Sequence, residues 1–177
     1  MRRLLIAALT ILALGWFGWQ WAHRASAPPA GVKADSTAAG VRSVRLYFAS
    51  PGGDSLVAEL REVVEATSLH DRVVALMAEL DRGPRGNGIA ALPAGTAPLH
   101  VFMDDRGLLT LDVTRAFQQG FRGGSGAEYL AVASLVRTLG ANLPEVRRVL
   151  IVCGGKPIGT LGGHLPLDQP LDVSEWP

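Results

Sequence analysis

An uncharged run of 19 residues, LLIAALTILALGWFGWQWA from Leu4 to Ala22, divides this chain before any other feature is weighed. About 20 apolar residues in a helix cross the hydrocarbon core of a bilayer, so residues 1–22 are expected to form a transmembrane signal-anchor. Arg2 and Arg3 precede the run. Basic flanks stay cytoplasmic, which sends the C-terminal part across the membrane. Trp16, Trp19 and Trp21 crowd the far end, where indole rings favour the membrane–water interface. Ala25-Ser26-Ala27 has the small-x-small form of a signal-peptide cleavage site. The run is longer than the usual signal core of about 7–15 residues, and Pro28 would become the first mature residue. A retained anchor is therefore the expectation, and secretion after cleavage is the alternative.

His23 to Ser43 reads HRASAPPAGVKADSTAAGVRS, rich in Ala, Pro, Gly and Ser and without apolar periodicity. That composition predicts a flexible tether over 23–43. The folded domain is expected over 44–173, with 174–177 as a tail. Cys153 is the only cysteine. It cannot close an intrachain disulfide, and no cysteine lies near the apolar run to carry a lipid. The chain has 17 basic and 16 acidic residues, and two of the basic ones precede the anchor. Such a near-neutral remainder argues against nucleic acid as a partner.

Val44, Leu46 and Phe48 alternate with Arg45 and Tyr47, the period of a half-buried strand. PGGDS follows as a turn, and LVAELREVVE is expected to return as a second strand. Leu69, Val73, Leu76, Met77 and Leu80 share one face of a helix from about Leu69 to Arg82. Ser68 would be its N-cap, and Gly83-Pro84 would stop it. GPRGNGIAALPAGTAP reads as a loop. LHVFM and LLTLDV flank DDRG as a hairpin. A second helix is expected over Gly126–Leu139, with Ser125 and Glu128 as a capping box and Gly140 as the C-terminal signal. VRRVLIV would then be a buried strand, GGKP a reversal, and IGTL a brief return before GGH turns again. The order β-β-α-β-β-α-β-β implies an α+β fold, two helices on one mixed, largely antiparallel sheet.

The chemically suggestive groups read mostly as structural. CGGKPIG lacks the Ser or Thr after lysine and the helix that a phosphate loop requires. RGGSGAE resembles a serine-hydrolase elbow at Ser125, but no strand leads into it. Cys153 ends an apolar strand, where a cysteine usually serves as a small hydrophobe, although His164 is close enough in sequence to act as a base. His70, His100 and His164 lack metal-ligand spacing. Asp104 and Asp105 are neighbours whose side chains diverge. No catalytic, cofactor or metal residues are assigned. A hydrolase using Ser125 or Cys153 is the remote alternative.

The stretches VRLYFAS, LMAELDRGP, IAALPAGTAP, DDRGLLTLDVTRAF, YLAVASLVRTLGANLPEVRRVLIV and GGHLPLD occur in this order between Val44 and Asp172. Together they resemble the GerMN domain family of sporulation and spore germination proteins. The resemblance implies a tethered extracytoplasmic module, non-catalytic and used for binding or assembly, similar to ring-building domains of spore envelopes. One departure is Cys153-Gly154-Gly155-Lys156, where the family often has an aspartate before Gly-Lys. The length admits one copy, whereas many relatives have two. The implied partners are other envelope proteins or a second copy, with Lys156 and His164 as the candidate contact residues. A peptidoglycan or small-ligand module is the alternative.

Overall fold

The computed structural model describes residues 40–176. The expected anchor and most of the expected tether lie outside them. Among the described residues, no helix is long and apolar enough to cross a membrane.

Strand β1 (Val41–Ala49) turns through PGGDS into β2 (Leu56–Val64), and the two pair antiparallel over their full length. β1 therefore opens ahead of the expected Val44. Helix α1 (Leu69–Asp81) follows, with Asp71 N–H donating to Ser68 Oγ at 3.0 Å, so the expected N-cap is present. Val73, Leu76, Met77 and Leu80 are buried on its inner face. After the 83–97 loop, β3 (Pro98–Met103) and β4 (Leu108–Val113) form the expected hairpin. A short helix α2 (Ala116–Gln119) leads to the long α3 (Ser125–Asn142). β5 (Arg148–Cys153) pairs parallel to β4, and two-residue strands β6 (Lys156–Pro157) and β7 (Leu171–Asp172) both pair antiparallel to β5. A 3-10 turn, Val173–Glu175, closes the domain. Trp176, in the expected tail, is buried and stacks on Tyr129 with ring centroids 5.2 Å apart.

The α+β class is as expected, but the strands form two sheets rather than one. β1–β2 stands alone, and β3-β4-β5-β6 with β7 makes the second sheet. The cause lies on α3. Ser134, Thr138 and Asn142 recur at helical spacing and occupy the place a neighbouring strand would take beside β1. Ser134 Oγ donates to the Tyr47 carbonyl at 2.5 Å, and Tyr47 N–H donates to Thr138 Oγ1 at 3.1 Å. Arg45 N–H donates to Asn142 Oδ1 at 2.9 Å, and Asn142 Nδ2 donates to the Arg45 carbonyl at 2.7 Å. A helix face thus satisfies a strand edge that burial would otherwise leave unpaired. Replacing Asn142 by Ala leaves two β1 main-chain groups without partners. The expected loss is about 2–3 kcal/mol, read from urea unfolding.

Two further expectations about α3 are corrected. Its N-cap is Gly124, so Ser125 is the first helical residue and makes no capping bond. Gly140 does not end the helix, which runs on to Asn142. Its glycine serves packing instead, because a Cβ there would collide with Val173 of the closing turn. Val44, Leu46, Leu109, Leu111, Val136, Leu139, Val149 and Ile151 join α1 and α3 to both sheets in one core.

Candidate functional site

The glycine-rich C-terminal stretch resolves into two devices. The first is a two-residue hairpin. Gly154 and Gly155 have φ of +59° and +76°, and they join β5 to β6 with Cys153 opposite Lys156. Positive φ at both central residues is the type I′ pattern, which Asp-Gly also adopts. Asp112 on β4 secures the turn, accepting from Gly155 N–H at 2.9 Å. Its other oxygen lies 3.2 Å from Nδ1 of the exposed His100. The expected reversal at GGKP is therefore present, but IGTL does not return as a strand, since only Lys156 and Pro157 pair.

The second device is an anion cradle. The loop from Thr160 to Leu165 wraps its main-chain N–H groups around the carboxylate of Glu128, which is 0% exposed. Leu161 and Gly162 donate to Oε1 at 2.9 and 2.7 Å, and His164 N–H donates to Oε2 at 2.9 Å. His164 Nδ1 lies 3.2 Å from Oε2. Gly162 is required here because a Cβ would sit 2.8 Å from Phe121 and 3.1 Å from Glu128 Oε2. Gly163, at φ +97°, bends the loop back. Burial alone would raise the pKa of Glu128. The N–H groups of Gly162, His164, Leu161 and Leu165 outweigh it and hold the carboxyl at about 2. Successive N–H groups of this kind can bind anions, and in this chain the protein's own side chain fills the place.

The cradle corrects the capping-box reading, because Glu128 reaches a loop more than thirty residues away instead of its own helix terminus. Ser125 is exposed at the start of α3, without the strand that a nucleophile elbow needs. Cys153 is buried in the core, its thiol 3.4 Å from the Thr114 carbonyl. His70 is exposed in the first turn of α1. Lys156 is exposed on β6 and His164 is exposed on the cradle loop, so the two candidate contact residues occupy separate elements. Among the described residues, no group of three or more His, Cys, Asp or Glu side chains could hold a metal.

A second polar centre was missed in the sequence. Arg61 projects inward from β2 and is buried. Its Nε and Nη2 donate to Glu59 at 2.8 and 2.6 Å, its Nη1 to the Glu79 carboxylate at 2.9 Å and carbonyl at 3.0 Å, and its Nη2 to the Gly83 carbonyl at 2.6 Å. The guanidinium also lies over the Phe48 ring, 5.3 Å from its centroid. This one cation ties β2 to the end of α1 and to the Gly83-Pro84 turn. A signal was present, in that Arg61 falls on the inward side of the β2 alternation. Nothing in the spacing named its partners.

One cleft of about 340 Å³ opens between the end of β1, the 89–93 segment and the start of α3. Ile89, Leu92, Phe121 and Leu130 give it apolar walls, and Ser50 and Arg122 stand at its polar rim. The Arg122 guanidinium already donates to the carbonyls of Gln119 and Phe121 at 2.7 and 2.6 Å.

Fold and site together define a small α+β domain in which Glu128 and Cys153 are held by its own framework. The family model for Germane, described as sporulation and spore germination, matches residues 45–159, and the chain belongs to that family. Among solved structures it is similar to the first GerMN domain of the sporulation protein GerM from Bacillus subtilis. That likeness has 20% identity and a TM-score of 0.57, over 74% of this chain and 97% of that one. It is also similar to the tandem GerMN domains of the same protein, at 19% identity and TM-score 0.57, over 81% of this chain and 48% of that one. A candidate lipoprotein from Clostridium perfringens matches at 16% identity and TM-score 0.52, over 77% of this chain and 90% of the other. These likenesses establish the GerMN-like fold. Comparison with curated protein sequences gives no match.

Proposed function

We propose that the chain is a non-catalytic binding and assembly domain of the cell envelope, held at the membrane by its N-terminal apolar run and acting through protein–protein contacts. The observation that carries this reading is the cradle. The feature most like a ligand loop is occupied by Glu128, and Cys153, the one thiol, is packed in the core. The family's link to sporulation and germination supports an envelope role, and the apolar run with its basic flank supports an extracytoplasmic domain. Lys156 and His164, both exposed, belong to the proposed contact surface. Crosslinking in cells followed by purification from native membranes tests the reading. Discrete crosslinked species containing envelope proteins or a second copy are expected, and an exclusively monomeric chain with no envelope partner would refute it.

The cleft favours a second reading, a peptidoglycan or small-ligand module, since its apolar walls and polar rim suit a small ligand. Phe102, 67% exposed on β3, adds an accessible aromatic. Sedimentation with purified cell-wall sacculi at low salt decides it. Retention supports this module, and its absence removes it.

A further inference from the structure

The β1–β2 sheet has two edges of opposite character. Along β1, the main-chain groups of Arg45, Tyr47 and Ala49 point away from β2, toward Asn142, Thr138 with Ser134, and Ile89. Antiparallel pairs alternate, so Val44, Leu46 and Phe48 bond to their partners Arg61, Glu59 and Val57. It follows that Leu56, Ala58, Leu60, Glu62 and Val64 turn their N–H and C=O groups outward. Among the described residues nothing pairs with them. Leu60 and Val64 are 66% and 64% exposed. An open strand of this length is a template for another strand.

We propose that this edge pairs with the β2 edge of a second copy, antiparallel about a twofold axis through Leu60, giving one continuous sheet β1–β2–β2–β1. The inference rests on the binding-domain reading and names its partner. The sequence of β2, LVAELREVV, is complementary to itself in this register. Leu60 faces Leu60, Glu59 faces Arg61, Val57 faces Val63, Leu56 faces Val64, and Ala58 faces Glu62. The outward main-chain groups of Ala58, Leu60 and Glu62 meet their counterparts as hydrogen-bonded pairs. The two nearest registers that keep those bonds are unfavourable. One sets the exposed Leu60 against Ala58 and the other sets it against Glu62, so neither brings the exposed apolar side chains onto large apolar counterparts. Apolar pairing and backbone direction therefore select the same alignment. A twofold contact of this kind is closed, and it gives the exposed Leu60 and Val64 side chains the apolar cross-strand neighbours Leu60 and Leu56.

Single cysteines in the full-length chain, kept in detergent micelles, read the register directly. Facing Cα atoms of a hydrogen-bonded pair lie about 5.5 Å apart, within disulfide range. The native Cys153 is buried, so the unaltered chain is the background control. Mild oxidation is expected to crosslink Leu60→Cys to itself, to leave Ala58→Cys and Glu62→Cys monomeric when alone, and to join those two when mixed. Leu60→Lys is expected to raise the dimer dissociation constant about tenfold in sedimentation equilibrium, with an unchanged circular-dichroism melt. Equal crosslinking at 58, 60 and 62, or none at any of them in protein with a native melt, overturns the pairing. So does a wild-type chain that sediments as a monomer at every concentration. Capture of other envelope proteins by such a monomer would overturn this pairing while leaving the binding-domain reading standing.

Discussion

Arg61→Met is expected to lower stability by about 3–5 kcal/mol, the usual cost of removing one partner from a buried ion pair. For a domain of this size that is roughly a 10–15 °C fall in Tm. The guanidinium uses its donors on Glu59, Glu79 and the Gly83 carbonyl. Methionine would fill most of the volume but leave the Glu79 carboxylate buried, with only the salt bridges from the solvent-facing Arg82 and Arg85. The double variant Arg61→Met/Glu79→Leu should recover much of the loss, because the buried Glu79 charge is removed together with its partner. Thermal unfolding of the two single variants and the double variant gives the coupling energy. Additive losses would show that Arg61 acts by packing on Phe48 rather than through its charge.

Glu128→Gln is expected to cost about 2–3 kcal/mol at neutral pH, since an amide cannot accept from every N–H around it and carries no charge. The same residue sets an acid limit. In the folded chain Glu128 stays ionised down to about pH 2, whereas the unfolded chain takes up the proton near the ordinary value of 4.5. A carboxyl with a lowered folded pKa stabilises fully above its unfolded pKa and loses that contribution as the pH falls toward the folded one. The contribution is on the order of 3 kcal/mol, and it fades between about pH 4.5 and 2. Urea unfolding of both proteins across that range should show two curves that converge. Parallel curves would mean that Glu128 is not the group responsible.

Local chemistry made much of the fold readable from the residues. The apolar face of α1, the Asp-Asp-Arg-Gly hairpin and the paired glycines at 154 and 155 are dictated by neighbours a few positions away, and each is found as expected. What was hidden depends on distant partners. Glu128 sits three residues after Ser125, as a capping-box glutamate would, and only the folded loop at 161–164 shows where its charge goes. Ser134, Thr138 and Asn142 look like tolerated polar residues in a helix until β1 is seen lying along them. That contact is also why one expected sheet became two.

The central claim is that the glycine-rich C-terminal loop is a cradle for the chain's own carboxylate and not a ligand site. The most direct measurement is an NMR titration of the Glu128 side-chain carboxyl together with the amides of Leu161, Gly162 and His164. The account predicts one transition near pH 2 shared by all four signals, with no response of those amides to added inorganic phosphate at neutral pH. A Glu128 transition near 4.5, or amides that move on phosphate addition, would contradict it.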